Sequence, residues 1–89
     1  MEMTQYQRTE GWVGSQVDDS FVILHMDTGS YVALNPTATA IWEGLSSPQT
    51  AEAVVDRLMQ QFAVERATCE ASVARALENM VQLKLVEPA

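Results

Sequence analysis

Apolar positions follow two different periods along this chain. Between residues 12 and 34 they come in short, strand-like stretches. Residues 12–17 form a weak strand candidate that ends at the acidic turn Asp18-Asp19-Ser20. Residues 21–26 are dense in β-branched and aromatic side chains and predict a strong strand, and residues 30–34 predict another. Asp27-Thr28-Gly29 between them fits a three-residue loop, a type I turn closed by a left-handed glycine. That loop sets Leu24 opposite Val32 and Val22 opposite Leu34. One face of the hairpin then holds those four residues, and the other holds Phe21, Ile23, His25, Tyr31 and Ala33.

From Asn35 the period becomes helical. Asn35-Pro36 supplies an N-cap and a proline at the first helical position, followed by Ala38, Ile41, Trp42 and Leu45 on one face. Gly44 and Ser46-Ser47-Pro48 end this helix. Thr50 caps a second, with Ala51, Val54, Val55, Leu58, Met59 and Phe62 as its stripe. A third helix is predicted over about residues 67–84. Cys69, Val73, Ala76, Leu77 and Met80 form its main stripe, and Leu85-Val86 and Pro88 close the chain. Three strands followed by three helices predict a small α+β domain, and a short hairpin packed on a helical trio suggests a winged-helix-like arrangement. The polar residues 1–11 are expected to be a flexible arm, with one domain over residues 12–89.

Composition narrows the function classes. With 89 residues and 47% hydrophobic side chains, the chain has enough apolar content to fold as one domain. The single cysteine, Cys69, can form no internal disulfide, and the N-terminus has no apolar signal-like run, so a reducing cytoplasm is expected. No apolar stretch is long enough to span a membrane. Twelve acids against five bases leave a formal charge of −7. Five of the seven excess negative charges fall in residues 1–49, where Arg8 is the only base. No basic face is available to neutralise phosphates, so neither nucleic acid nor an anionic membrane is an expected partner.

Candidate chemistry is sparse. Cys69 reads as a small buried hydrophobe and His25 as a half-exposed strand residue, so no Cys–His nucleophile pair is expected. There is no Cys-x-x-Cys, no metal-ligand spacing and no phosphate-binding glycine loop, so no metal or cofactor is predicted. Trp42 reads as a core anchor, whereas Trp12 fits either a partial cover for the sheet or an exposed contact. Two alternative functions stay open. Asp18-Asp19-Ser20-Phe21 in a small acidic protein suits an acyl or peptidyl carrier modified at Ser20, although a carrier serine opens a helix and Ser20 opens a β-rich run. A winged-helix nucleic-acid binder would need the last helix to read bases, but its Arg66, Arg75 and Lys84 are interleaved with Glu65, Glu70 and Glu78.

The remaining feature is the stretch Ser30, Tyr31, Val32, Ala33 and Leu34. In a meander it is an edge strand with one neighbour, and it carries no Lys, Pro or other blocking charge. The run Gly29-Ser30-Tyr31-Val32-Ala33-Leu34-Asn35, then Thr37-Ala38, Ile41-Trp42, a helix capped at Thr50 and Leu83-x-Leu85-Val86 resembles the PqqD-like family of peptide-recognition domains over roughly residues 12–86. The resemblance implies a three-stranded antiparallel sheet followed by three helices, and a noncatalytic adaptor that binds the leader segment of a ribosomally made precursor peptide. It implies that the leader adds as a strand to residues 30–34 and lies in a cleft walled by Cys69, Val73, Ala76, Leu77 and Met80, some of them shared with the core. Glu70 and Glu78 are candidate rim charges, which would favour a neutral or basic leader. The implied partners are the precursor and a leader-cleaving protease or other modifying enzyme, in a lasso-peptide type pathway in preference to a quinone-cofactor one.

Overall fold

The computed structural model describes residues 4–89. Its elements in chain order are β1 (Gln5–Arg8), β2 (Trp12–Val17), β3 (Ser20–His25), β4 (Tyr31–Leu34), α1 (Pro36–Gly44), β5 (Gln49–Thr50), α2 (Ala51–Gln61), α3 (Arg66–Gln82) and β6 (Val86–Pro88). β2, β3 and β4 form an antiparallel meander, which precedes the three helices as the strand and helix periods predict.

The helices start where their capping residues lie. Asn35 Oδ1 accepts from Ala38 N at 2.7 Å ahead of Pro36, and Thr50 Oγ1 accepts from Ala53 N at 3.1 Å. Each cap satisfies one amide that the first helical turn leaves without a partner. Ala40, Ile41 and Trp42 of α1, Val54, Val55 and Leu58 of α2, and Cys69, Val73, Leu77 and Met80 of α3 meet Ile23 and Leu34 in one core. Trp42 is a core anchor, and Trp12 is a half-buried sheet cover whose Nε1 donates to Lys84 O at 3.1 Å.

The hairpin register differs from the expectation by one residue. Phe21 pairs with Leu34, Ile23 with Val32 and Leu24 with Tyr31. Met26 has joined the loop, because its amide donates to Gly11 O at 2.8 Å while His25 N donates to Ser30 O at 2.8 Å. His25 Nδ1 accepts from Asp27 N and Thr28 N at 3.2 and 3.3 Å and holds the four-residue loop in place. Gly29 does occupy the left-handed position, at φ +77°. A one-residue slip turns one strand over relative to the other. The core face therefore combines Phe21 and Ile23 with Val32 and Leu34, and the outward face carries Leu24 beside Tyr31. Gly14 lies under Phe21, where a Cβ would come within 2.4 Å of the ring and force it to shift.

The expected arm over residues 1–11 contains a paired strand. β1 is the centre of a second three-stranded sheet, between β5 and β6, with Gln5 opposite Thr50 and Gln7 opposite Glu87. Tyr6 packs on the core, so the folded unit begins ahead of Trp12. Residues 1–3 of that expected arm lie outside the described residues. Among the described residues, no helix is long and apolar enough to cross a membrane.

Candidate functional site

The edge strand and the last helix define the site. Among the described residues, β4 has β3 as its single strand neighbour. The bond from His25 N to Ser30 O fixes the hydrogen-bonding phase of the pair. In an antiparallel ladder, bonded and non-bonded pairs alternate. Pairs 23/32 and 21/34 are therefore bonded, so Val32 and Leu34 direct their amides and carbonyls inward to β3. Tyr31 and Ala33 direct theirs outward, along the open edge.

Beside that edge runs a groove of about 600 Å3 between β4, the start of α1 and α3. Val32, Ala33, Leu34, Asn35, Thr37 and Ala38 line one side. Ser72, Ala76, Asn79 and Leu83 line the other, at the spacing of one helix face. Arg75, Glu78 and Gln82 flank that row, and Met80 and Leu85 contribute from the core side. Small side chains at 72 and 76 leave the space between α3 and the sheet edge unfilled.

The residues singled out from the sequence divide between groove and core. Val32, Ala33, Leu34, Ala76, Met80 and Glu78 line the groove. Ser30 belongs to the turn, with its amide donating to Thr28 Oγ1 at 3.2 Å. Tyr31 is 74% exposed on the outward face of the sheet and presents only its backbone to the edge. Of the expected cleft wall, Cys69, Val73 and Leu77 are buried in the core and are not among the groove-lining residues, the share of that stripe spent on the core. Cys69 Sγ lies 4.0 Å from Val55 O, under α2. Glu70 is not among the groove-lining residues, and its Oε2 accepts from Arg66 Nε at 3.1 Å. Arg66 also donates to Asp56 at 2.9 Å, and these hydrogen bonds raise its pKa above the ordinary guanidinium value.

Ser72, Arg75, Asn79, Gln82 and Leu83 were not singled out from the sequence as groove residues. They occupy the stripe beside the apolar one, where small and polar residues look like an ordinary solvated face. The signal was the pair Ser72 and Ala76, small residues four apart at the margin of a core stripe.

The other chemistries find no support in this geometry. His25 is committed to the β3–β4 turn and Cys69 is buried under α2, so they do not form a nucleophile pair. Among the described residues, no three His, Cys, Asp or Glu side chains gather as metal ligands would. Ser20 opens β3 opposite Val17, whereas a carrier serine opens a helix. Of the bases proposed for nucleic-acid reading, Arg66 is held by two carboxylates.

A three-stranded meander with an open edge, set on three helices with a groove between, defines a winged-helix-like α+β domain of the PqqD type. The chain belongs to the family of coenzyme PQQ synthesis protein D (PqqD), whose model matches residues 20–86. The solved structure of TbiB1 in complex with the TbiA(beta) leader peptide is similar, with 28% identity, a TM-score of 0.78, and coverage of 91% of this chain and 94% of that one. A lasso peptide synthetase B1 complexed with the leader peptide shares the fold at 23% identity and a TM-score of 0.73, over 93% of this chain and 98% of that one. No curated protein matches the chain.

Proposed function

We propose that this protein is a noncatalytic adaptor that binds the leader segment of a ribosomally made precursor peptide and delivers it to a modifying enzyme. The observation that carries the reading is the open β4 edge, with the outward backbone groups of Tyr31 and Ala33 beside a groove of about 600 Å3. A leader added there as a strand gains main-chain hydrogen bonds from the edge and side-chain contacts from α3. The leader peptides in the TbiB1 and lasso synthetase B1 structures support this class of occupant. Those relatives also favour a lasso-type pathway, in which the partner is a leader-cleaving protease followed by a cyclase in the cytoplasm. Tethering the leader raises the effective concentration of the rest of the precursor at the partner's active site, which requires no chemistry from the adaptor.

Ala33→Pro tests strand addition. Proline removes an outward amide and places its ring against the incoming strand, while the inward ladder through Val32 and Leu34 is retained. The expected result is a folded variant, by circular dichroism, that no longer binds a synthetic leader from the precursor encoded beside its gene. Wild-type affinity in the folded variant would overturn the edge as the binding site.

A further inference from the structure

The bases of this acidic chain are unevenly committed. Arg8 donates twice to Trp42 O, and Arg66 is held between Asp56 and Glu70. Arg57 extends from α2 to Gly44 at the end of α1, and Lys84 stands beyond the end of α3. Arg75 alone lines the groove, and among the described residues it has neither an ion pair nor a hydrogen bond from its side chain. Its nearest charged companion in the lining is Glu78, three residues on, which is not within ion-pair distance of it.

We infer that Arg75 selects a carboxylate in the bound peptide, so that the peptides this groove accepts carry an Asp or Glu opposite α3. The inference rests on the strand-addition reading and adds a chemical class to its ligand. It reverses the simplest conclusion from the net charge of −7, which favours a basic peptide. The global charge is spread over the surface and acts over distance, whereas a guanidinium in a concave wall acts on the one side chain placed against it. Arg also offers a planar fork that matches a carboxylate in two parallel hydrogen bonds.

Strand geometry locates the carboxylate. Side chains of an added strand alternate between the two faces of the sheet. Those on the same face as Val32 and Leu34 point towards α3, between Ala76 and Leu83. The acid must belong to that row, together with the apolar side chains that fill the rest of the groove. Acid and anchor are then separated by an even number of positions.

The test is a selection from a random peptide library displayed on phage, run in parallel on the wild type, Arg75→Glu, Arg75→Gln and Ala33→Pro, each checked for folding by circular dichroism. The wild type should enrich peptides with Asp or Glu at a fixed even spacing from an apolar residue. Synthetic copies should bind Arg75→Gln about tenfold more weakly, and Arg75→Glu more weakly still, as expected for loss of a charge-assisted bond. Arg75→Glu should enrich Lys or Arg at the same spacing. Peptides that lose affinity for Ala33→Pro but bind both Arg75 variants as tightly as the wild type would overturn the Arg75 assignment alone. So would enrichment of basic residues at no fixed spacing. An unenriched library, or peptides indifferent to Ala33→Pro, would overturn strand addition and the assignment with it.

Discussion

Lys84 is the residue whose backbone departs furthest from what its side chain favours. It follows α3 at φ +63°, with Lys84 N donating to Val81 O at 3.0 Å and Leu85 N to Met80 O at 2.9 Å. That is the bond pattern of a Schellman cap, a motif that usually holds glycine at this position. The cap turns the chain so that Leu85, at 1% exposure, enters the core. Trp12 Nε1 binds the Lys84 carbonyl, not its side chain, so nothing there requires lysine. Lys84→Gly is expected to raise stability by about 0.5–1 kcal/mol by relieving the left-handed strain. Urea denaturation checks this, and a lower midpoint would mean that the lysine stem has a packing role the cap does not explain. Arg8 shows the opposite case, a long-range contact at a position with no local signal. Its guanidinium lies 4.6 Å from the Trp42 ring centroid and donates to Trp42 O at 2.9 and 2.6 Å. Burial lowers its pKa, and nearby Glu43 acts in the opposite direction. One side chain thereby supplies a partner for a carbonyl in the last turn of α1 and fastens β1 to the core.

At the scale of elements, α3 carries two jobs on adjacent stripes, and the two can be separated by mutation. Leu77 is 3% exposed and belongs to the core, so Leu77→Ala should cost about 2–5 kcal/mol of stability and leave the affinity of the folded fraction nearly unchanged. Ala76→Phe should do the reverse, with a bulky ring filling the groove and blocking the peptide at little cost in melting temperature. Thermal melts alongside a binding titration read both, and a normal affinity for Ala76→Phe would remove α3 from the site. The same helix shows what could be read without a structure. Its apolar stripe was legible because burial demands apolar side chains at helical spacing, and the caps at Asn35 and Thr50 were legible because their signal is local. The groove-facing stripe was not, since Ser72, Arg75 and Asn79 meet no packing demand. The β3–β4 register was missed because the Gly11 carbonyl, remote in sequence, takes the Met26 amide. β1, β5 and β6 were missed because Gln5, Gln49 and Glu87 acquire strand geometry only by pairing across the chain. The open edge was legible for the simplest reason, the absence of any blocking residue between Ser30 and Leu34.

At the scale of the whole molecule, charge works in two directions. The net charge of −7 repels an acidic peptide at a distance, while Arg75 attracts its carboxylate on contact. Glu78 partly offsets Arg75, so the groove itself is close to neutral. Long-range repulsion between exposed charges is screened by salt, and a close pair in a concave wall is screened less. Exposed ion pairs are worth only about 0–1 kcal/mol each, so backbone bonds to β4 and apolar contacts with Val32, Ala76 and Leu83 must provide most of the affinity. Raising salt from about 0.05 to 0.5 M shortens the Debye length from roughly 14 to 4 Å. The relief of overall repulsion and the weakening of local attraction then largely cancel. Binding of the leader should change by less than tenfold across that range, as measured by fluorescence anisotropy. A hundredfold loss would mean that charge, not the edge strand and its groove, dominates recognition, and a uniformly basic leader would then be the better description of the partner.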